Sequence, residues 1–390
     1  MSPGTKFDVV VVGAGVFGSW TANFLQRAGR KALLLDAYAP GNSRASSGGE
    51  SRIIRMGYGS DEIYTRWSMR SLPLWEELQE RIGATIFHRT GVLWLAPGGN
   101  QYLAQTLATL ERTGVSFERL SAAEIARKYP QIAVDPDVFG ILEPMSGTLM
   151  ARRAVEHVVA DAVKRGAEYG AEFVETPTGR GRLASVRTRN GENFSADAYV
   201  FACGPWLPKV FPGLLGDLIF PTRQEVFFFG LPPGDTRFSP PALPTFIDHI
   251  SEFYGMPDLE GRGIKVACDH HGPRVDPDTQ ERIATPEKLS EARDYLGTRF
   301  PALKNAPLVE SRVCQYENTS SGDFLIDRHP DFENVWIAGG GSGHGFKHGP
   351  ALGEYVAERI TMAGNIEPRF SPGTHIIIGS PVLTKFFLSE

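Results

Sequence analysis

The chain of 390 residues predicts an α/β fold with two domains: a nucleotide-binding domain assembled from separate stretches, and an α+β domain with a mostly antiparallel sheet. Three observations predict this fold. The chain opens with an apolar strand, a glycine-rich turn and a helix, and the same order of elements returns near residue 335. The intervening stretches are rich in proline, aromatic residues and alternating patterns such as TRQEVFFFG, which are typical of antiparallel sheets. The length also favours two domains over one.

The first element is a buried strand that runs into a glycine-rich turn. Residues 7–12 form a continuous apolar, β-branched run, as expected for a parallel strand covered on both faces. A helical stretch over residues 16–28 follows and ends at Gly29. Between them the G-x-G-x-x-G pattern is formed by Gly13, Gly15 and Gly18. In such a turn the first glycine permits the bend, the second lets a pyrophosphate approach the backbone, and the third lets helix pack on strand. The helix N-terminus offers free N–H groups to phosphates.

The next strand ends in an acid. The apolar residues 32–35 lead to Asp36, about 20 residues after the glycine pattern, where a carboxylate accepts hydrogen bonds from ribose hydroxyls. An acid at this position disfavours a 2′-phosphate, and therefore NADP. The unit predicts a Rossmann-like dinucleotide site and leaves NAD and FAD open.

Two later stretches repeat the strand-and-turn pattern. ADAYVFACGPW, from residue 196, is a buried strand with a small-residue turn, and NVWIAGGGSGHGFKHGPALGE, from residue 334, is a strand, a glycine-rich turn and a helix. A second glycine-rich edge suits a long, two-part cofactor and favours FAD. The predicted domains are a discontinuous Rossmann-like FAD-binding domain over residues 1–85, 146–215 and 319–390, and a substrate domain over residues 86–145 and 216–318.

The composition excludes some classes of partner and indicates the cellular compartment. A net charge of −5 and a pI near 6.0 give no clustered positive charge for nucleic acid. No apolar stretch reaches the roughly 20 residues of a membrane helix, and the N-terminus lacks a signal-peptide pattern. Cys203, Cys268 and Cys314 are far apart, which indicates a reducing compartment. None of the histidines has metal-ligand spacing. We expect a cytoplasmic protein that binds no metal, membrane or nucleic acid.

Several motifs carry a resemblance to a known family over nearly the whole chain. In order they are VVGAGVFGSW, GGESRIIRMGYG, FYGMPDLEGRGIKVACDHH, CQYENTSSGDFLID and GGGSGHGFKHGPALGE. Together they resemble the monomeric sarcosine oxidase family of FAD-dependent amine oxidases, which includes N-methyltryptophan, pipecolate and fructosyl-amino-acid oxidases. The resemblance implies a monomer that oxidises the C–N bond of a small secondary amino acid or amine to an imine, which hydrolyses, while O₂ is reduced to H₂O₂.

The resemblance also implies roles for a cysteine and three cations. Cys314 matches the cysteine that forms a thioether to the flavin ring; the alternative is a buried, inert cysteine. Arg52 would lie against the flavin, while Arg55 and Lys347 would hold the substrate carboxylate. If SRIIR is helical its two arginines share a face, and if it is a loop they diverge. For each cation the alternative is a surface salt bridge.

The remaining catalytic residues are also implied by matching motifs. Lys265 matches a lysine that activates O₂, because a fixed cation stabilises superoxide as its charge develops. By pattern alone, GIKVA is an alternating strand with this lysine in solvent. Tyr254 and Tyr316 match tyrosines that shape the pocket, and His344 matches a histidine beside the flavin. The expected catalytic residues are therefore these four and Arg52.

One departure from the family concerns the substrate. Where sarcosine oxidases carry a histidine four residues after the lysine, this chain has Asp269, followed by His270 and His271. A carboxylate here would repel the substrate carboxylate and favour a substrate with a second positive charge. Alternatively the register slips by one and His270 fills the role. Asp269 and His270 are therefore expected to bind substrate, together with Arg55 and Lys347.

The expected contacts of FAD follow from the same motifs. They are Gly13, Gly15, Val16, Phe17, Gly18, Asp36, Ser43, Ser46, Arg52, Cys203, Gly204, Trp206, Cys314, Gly341, Gly343, His344, Gly345, Phe346 and Lys347. A fructosyl-amino-acid oxidase and a dehydrogenase that passes electrons to a quinone or carrier protein stay open as alternatives, although Lys265 favours an oxidase. An NAD-binding or non-catalytic nucleotide-binding module is a further alternative, and the GGGSGHGFK edge argues against it.

Overall fold

The computed structural model describes residues 6–362 and 364–375, so residues 1–5, 363 and 376–390 of the expected FAD domain lie outside the described residues. The strands are β1 (Lys6–Val12), β2 (Ala32–Asp36), β3 (Ser51–Ile54), β4 (Phe87–His88), β5 (Val92–Pro97), β6 (Glu118–Ser121), β7 (Val138–Glu143), β8 (Gly147–Met150), β9 (Glu168–Ala171), β10 (Ser185–Arg187), β11 (Asn193–Phe201), β12 (Phe220–Phe229), β13 (Thr245–Asp248), β14 (Phe253–Met256), β15 (Ile264–Cys268), β16 (Leu308–Asn318), β17 (Leu325–Arg328) and β18 (Val335–Gly339). The helices are α1 (Val16–Arg27), α2 (Glu62–Ile82), α3 (Gln101–Thr113), α4 (Ala122–Lys128), α5 (Ala151–Lys164), α6 (Leu207–Val210), α7 (Pro212–Leu215), α8 (Pro286–Arg299) and α9 (Gly349–Met362).

A largely parallel sheet forms one half of the molecule. Its strand order is β17-β18-β11-β1-β2-β9, with β10 paired to β11. The central strands β18, β11, β1, β2 and β9 are parallel, whereas β17 and β10 pair antiparallel at the edges. The apolar runs of β1 and β2 are buried because helices cover both faces of such a sheet. The glycine-rich turns therefore meet at the carboxyl ends of neighbouring strands.

The second large sheet has the order β16-β12-β15-β14-β13-β5-β7-β6. All of its pairings are antiparallel except that of β13 with β5. Alternation along β12 puts one face into an apolar cluster that also contains Ala292, Tyr295 and Leu296 of α8. The mixed α/β fold class expected from the sequence is confirmed.

The two large sheets use different stretches of the chain. All strands of the parallel sheet lie within residues 1–85, 146–215 and 319–390, and all strands of the antiparallel sheet lie within residues 86–145 and 216–318. A third sheet, β3-β8-β4, combines strands from both sets. The proposed domain division follows the two large sheets and stays a prediction for the third.

Local differences from expectation are small and have physical causes. Helix α1 ends at Arg27, and Gly29 has φ +72°, a conformation that glycine adopts without strain. The SRIIR stretch is neither helix nor loop, because residues 51–54 form β3 and pair with β8. The helix expected after the second glycine-rich turn begins with a 3₁₀ turn over Phe346–His348 and continues as α9. No helix in the described part of the chain is both long and apolar enough to cross a membrane.

Candidate active site

A cavity of about 590 Å³ lies at the carboxyl ends of the parallel strands. Fourteen of the expected FAD contacts line it: Gly13, Gly15, Val16, Phe17, Asp36, Ser46, Arg52, Cys203, Gly204, Trp206, Gly341, Gly343, Gly345 and Phe346. The other five do not line it. His344 and Lys347 line a second cavity, Gly18 lies beneath the first turn, and Ser43 and Cys314 line neither cavity.

The glycine pattern is explained by close backbone approach. Gly13 has φ +106°, and a Cβ there would lie 2.4 Å from the carbonyl oxygen of Ala202. A Cβ at Gly18 would lie 1.9 Å from the carbonyl oxygen of Gly13. Any larger side chain would therefore push α1 away from the strands β1 and β11, and the turn would no longer present its N–H groups to the cavity.

The part of the cavity next to the first glycine turn has a carboxylate and a serine at its edge. Asp36 accepts the backbone N–H of Ala14 at 2.7 Å, which joins β2 to the glycine turn. Ser47 Oγ accepts the N–H of Val16 at 3.0 Å, so it holds the first turn of α1. Ser47 lines the cavity, and Ser43, which we expected there, does not. Ser43 is exposed, and Ser47, four residues further along the chain, lies at the position where we expected Ser43.

Glu317 is a cavity residue that the sequence did not reveal. Its side chain is 7% exposed, and its Oε1 accepts the N–H of Gly341 at 3.3 Å. Its Oε2 has no hydrogen-bond partner among the described residues. Burial raises the pKa of this carboxyl to about 7, against the opposing effect of the Gly341 N–H. A cofactor that carries a hydroxyl group would supply the donor that Oε2 lacks. The cavity size, the glycine turns and this oxygen together fit FAD.

A second cavity, of about 80 Å³, adjoins the first. Arg52, Tyr316, Gly343 and Phe346 line both cavities and form a shared wall. The residues found only in the small cavity are Ile53, Arg55, Ile247, Tyr254, Met256, Asp269, His271, Ser342, His344 and Lys347. Gly343 is required at the wall, because a Cβ there would lie 2.8 Å from the ring of Tyr316. The small cavity thus brings charged and polar side chains together with apolar ones.

Arg55 is fixed from behind by aromatic rings. Its guanidinium carbon lies 4.2 Å from the ring centroid of Tyr58 and 4.7 Å from that of Trp94. It donates a hydrogen bond to the carbonyl oxygen of Gly57 and forms no ion pair with a carboxylate of the described chain. Arg55 is 5% exposed, so the alternative that it forms a surface salt bridge is wrong. Cation–π contacts hold a planar guanidinium while leaving its donors available.

Lys347 faces the same cavity and is also buried. Its Nζ donates to the hydroxyl of Tyr58 at 2.7 Å and to the carbonyl oxygen of His344 at 2.8 Å. No described carboxylate forms an ion pair with it. Burial, and then the charge of Arg55, lowers the pKa of Lys347 well below its usual range. Binding of a carboxylate raises this pKa again, so Lys347 gains its charge where an anion is held.

His344 lies in the same polar group beside the shared wall. Its Nε2 lies 2.9 Å from the carbonyl oxygen of Gly322, and its Nδ1 lies 3.4 Å from the hydroxyl of Tyr58. Burial, reinforced by the charge of Lys347, lowers the pKa of His344 well below its usual range. The ring is therefore neutral, and the backbone carbonyl oxygen of His344 positions Lys347.

Asp269 and His270 take different directions after β15. Asp269 lines the small cavity, whereas His270 is exposed and forms an ion pair with Glu252 outside it. The register slip that would have put His270 in the pocket is wrong, because the Asp269 N–H bonds to the carbonyl oxygen of Glu252 and fixes the turn. His271 returns to the cavity, with its ring 5.8 Å from that of Tyr316.

Tyr254 and Tyr316 are brought together on adjoining sides of the small cavity. Their hydroxyl oxygens are 3.5 Å apart, and both residues are half-buried. Burial raises the pKa of Tyr254 to about 12, so the hydroxyl stays neutral and can donate or accept.

Lys265 is buried, not exposed as strand alternation alone would suggest. Its side chain is 2% exposed, and its Nζ donates to the carbonyl oxygen of Ser51 at 3.0 Å. It lines neither of the two cavities but lies behind Ser51, next in sequence to Arg52 of the shared wall. Burial, and then the charge of Arg52, lowers the pKa of Lys265 to about 7.

Cys314 lies beside the shared wall. Its sulfur accepts a hydrogen bond from Arg52 at 3.4 Å and lies 3.9 Å from the carbonyl oxygen of Ser46, and both of these residues line the large cavity. Within residues 6–362 and 364–375 no group of three or more His, Cys, Asp or Glu side chains could hold a metal ion.

A large cavity framed by glycine-rich turns, which shares a wall with a small pocket containing buried cations, fits a flavin-dependent oxidoreductase. The family model for FAD dependent oxidoreductases matches residues 8–359. The chain belongs to this family of enzymes, and the expected use of FAD is confirmed at that level.

The relatives are similar along almost their whole length. A monomeric sarcosine oxidase from Bacillus sp. (strain B-0618) is 33% identical over 375 residues, which cover 93% of this chain and 94% of the relative. An N-methyl-L-tryptophan oxidase from Citrobacter koseri is 30% identical and covers 90% of this chain and 94% of the relative. The resemblance to the monomeric sarcosine oxidase family is therefore confirmed. The solved structure of L-proline dehydrogenase from P. horikoshii has the same fold, with a TM-score of 0.83, 23% identity, and coverage of 95% of this chain and 98% of the other.

Proposed function

We propose that this protein oxidises the C–N bond of a secondary, N-methyl-type amino acid to an imine, which water hydrolyses, and that O₂ is reduced to H₂O₂. The observation that carries the proposal is the pair of buried cations, Arg55 and Lys347, in a small cavity that shares a wall with the large one. Two relatives named as oxidases of sarcosine and of N-methyl-L-tryptophan support the same substrate class. A fructosyl-amino-acid substrate stays the alternative for the same site.

The large cavity is the proposed FAD site. FAD supplies a two-electron acceptor at its ring, and the protein supplies position and charge around it. In the proposal Asp36 accepts ribose hydroxyls and the turn at Gly13 and Gly15 receives the pyrophosphate. Cys314 would hold the ring through a thioether, and its hydrogen bond of 3.4 Å with Arg52, which lines both cavities, supports this role.

The small cavity is the proposed substrate site. Arg55 and Lys347 bind the carboxylate, and the aromatic rings behind Arg55 keep its guanidinium from following the ligand. Two points of attachment to one anion fix which C–H bond faces the shared wall, and orientation is the main requirement of hydride transfer. Tyr254 and Tyr316 exclude water and contact the substrate beside the wall.

The electron acceptor separates two candidate functions. A cation at Lys265 supports an oxidase, because it stabilises superoxide as the first electron reaches O₂. The alternative, a dehydrogenase with another acceptor, is favoured by one observation: Lys265 lines neither cavity and donates to Ser51. We also propose that the enzyme is a cytoplasmic monomer; the relatives named as monomeric support the oligomeric state.

The proposal is tested with N-methylglycine and the purified holoenzyme. Without O₂, substrate should bleach the flavin absorption within the time of a turnover, and Arg55→Gln should raise the substrate concentration needed by at least about tenfold, the loss of one strong ion-pair contact. On admission of air, one H₂O₂ should appear for each aldehyde formed. Bleaching without peroxide identifies the dehydrogenase, and no bleaching with any small N-methyl amino acid contradicts the proposed substrate class.

A further inference from the structure

The small cavity contains an acid, Asp269, that forms no ion pair with the cations lining the same cavity, Arg52, Arg55 and Lys347. Asp269 lines the cavity with Arg55 and Lys347, yet its carboxylate forms no hydrogen bond or ion pair with any residue of the described ranges 6–362 and 364–375. Leaving a half-buried carboxylate unpaired costs free energy. If its purpose were to balance Arg55, a direct hydrogen-bonded pair would be expected. The arrangement instead holds separate positive and negative groups around one small space.

The cations of this cavity are held away from Asp269 by other partners. Arg55 is stacked on Tyr58 and Trp94, and Lys347 donates to Tyr58 and His344. Arg52, the third cation of the cavity wall, donates to Ser46, Ser51 and Cys314. Burial, and then the charge of His270, lowers the pKa of His271, so its ring is neutral. The carboxylate thus has room for a positive group that the protein does not provide.

We propose that Asp269 binds the reacting nitrogen of the substrate as an ammonium group, so that this pocket takes a secondary amino acid as a zwitterion with its carboxylate on Arg55 and Lys347. The inference rests on the proposed function, because it uses the same carboxylate site. An α-amino acid carries its two charges only one carbon apart, which suits a cavity of about 80 Å³ with both signs on its wall. The positive charge bound by Asp269 would otherwise come from a second cationic group, further along a longer substrate.

The same contact provides a route for the ammonium proton. Formation of C=N needs the nitrogen lone pair, so one N–H bond must break before the hydride leaves the neighbouring carbon. The proton passes from nitrogen to an Oδ atom of Asp269, which becomes neutral, and the electron pair of the N–H bond stays on nitrogen. Asp269 is therefore a catalytic residue as well as the group that selects the charge of the substrate.

Two inert ligands of equal shape test the charge selection. Trimethylglycine and tert-butylacetate both carry a carboxylate, and they differ by the single positive charge on nitrogen. Their affinities are measured from the change in flavin absorption of the holoenzyme. The wild type should bind trimethylglycine about tenfold or more tightly than tert-butylacetate, and Asp269→Asn should reduce that ratio to about one, as expected for loss of one contact between charged groups.

Three controls distinguish a direct contact with Asp269 from the effect of any nearby negative charge and from misfolding of the variant. Asp269→Glu keeps the charge and should keep most of the preference, while unchanged flavin content and melting temperature establish that each variant is folded. Glu252→Gln removes a neighbouring carboxylate that does not line the cavity, and it should leave the ratio unchanged.

The outcomes are distinct. An equal preference in the wild type and in Asp269→Asn overturns the inference and leaves the proposed function standing. A dependence on Asp269 seen only for ε-aminocaproate against hexanoate, whose charge is far from the carboxylate, also overturns it. If neither carboxylate binds the wild type, the carboxylate site is absent, and the proposed function fails together with the inference.

Discussion

A guanidinium nitrogen of Arg52 lies 3.4 Å from the sulfur of Cys314 and donates a hydrogen bond to it. Arg52 belongs to β3 and Cys314 to β16, so the contact joins the small third sheet to the antiparallel sheet. Arg52 also lines both cavities, and its other guanidinium contacts are the carbonyl oxygens of Ser46 and Ser51. The sulfur therefore lies beside the boundary between the two cavities, where a flavin ring in the large cavity would face a substrate in the small one.

The first prediction concerns that sulfur. If Cys314 forms a thioether, the yellow flavin should stay with the protein after acid precipitation, and Cys314→Ala should release it into the supernatant. Cys203→Ala is the matched control: Cys203 lines the large cavity but donates to the carbonyl oxygen of Val12, so the pellet should stay yellow. Colour that remains with Cys314→Ala would falsify the thioether.

The second prediction concerns the fate of the electrons. Lys265→Met should leave the rate of flavin reduction by N-methylglycine nearly unchanged and slow reoxidation by O₂ by about 10²-fold or more, the usual effect of removing one preorganised charge. Stopped-flow absorption measures the two half-reactions separately. Lys288→Met, at an exposed lysine that pairs with Glu291 on α8, should change neither. An equal loss in both half-reactions would contradict a role in oxygen activation.

The pH dependence of reoxidation supplies an independent check on Lys265. Burial, and then the charge of Arg52, lowers the pKa of Lys265 to about 7, so the ammonium form is lost as the pH rises through that value. The reoxidation rate of the wild type should therefore fall from pH about 6 to about 8, and Lys265→Met should show no such decline.

The sequence was most informative where local physics decides the structure. The turn at Gly13 and the apolar strands around it need particular residue types, because a Cβ at Gly13 would collide with Ala202 and a polar β1 could not be buried. These constraints act within a short stretch of chain, so the residue types in that stretch reveal them. The second cavity could not be derived from any one stretch of sequence, because Arg55, Asp269 and Lys347 come from distant parts of the chain. Only the resemblance to a family placed these residues in one site.

Where a loop determines which of two similar residues reaches the site, the sequence could not predict which one it is. Ser47 and not Ser43 reaches α1, and His271 and not His270 faces the pocket, although each pair is chemically alike. Loops lack the periodicity that assigns a face to a strand or helix residue. Lys265 shows the converse: the alternation of β15 predicts two faces, but here both are covered, so the lysine is buried on the face nearer to Ser51.

The third prediction concerns Glu317 and uses flavin-free protein, prepared in a Cys314→Ala background so that FAD exchanges. Burial raises the pKa of Glu317 from 4.5 to about 7. The folded apoprotein therefore holds this proton more tightly than the unfolded chain, and the stability it contributes is present at low pH and lost as the pH rises through about 7. Replacement with Gln should stabilise the apoprotein by up to about 3 kcal/mol at pH about 8, and much less at pH about 4.5.

The same change should weaken FAD binding, because the carboxylate oxygen that lacks a partner would no longer accept a cofactor hydroxyl. We expect about a tenfold higher Kd by flavin fluorescence at pH about 8, equivalent to one hydrogen bond to a charged group. Glu175→Gln, at a carboxylate that also lines the cavity but pairs with Arg187, should affect neither quantity by much. Tighter FAD binding after Glu317→Gln would contradict a contact between this carboxylate and the cofactor.

The last prediction is an acid limb in the pH profile of kcat/KM. Burial raises the pKa of Asp269 to about 6, against the charges of Arg55, His270 and Lys347. The charged and titratable groups that line the cavity with Asp269 are Arg52, Arg55, Lys347, His271, His344, Tyr254 and Tyr316, and the pair formed by His270 and Glu252 lies outside the cavity. Because the ionised carboxylate binds the ammonium group, kcat/KM for N-methylglycine should fall as the pH drops through about 6, the protonation of the free enzyme.

Asp269→Asn should be slower at every pH and should lack this limb, whereas His270→Asn should keep it. The comparison matters because His270 is adjacent in sequence and could otherwise be taken for the titrating group, although it lies outside the cavity and pairs with Glu252. The profile of kcat reports the complex with substrate, in which the ammonium contact stabilises the carboxylate, so its limb should lie at a lower pH than that of kcat/KM. A limb that survives in Asp269→Asn and disappears in His270→Asn would assign the titration to the histidine and remove Asp269 from the proton path.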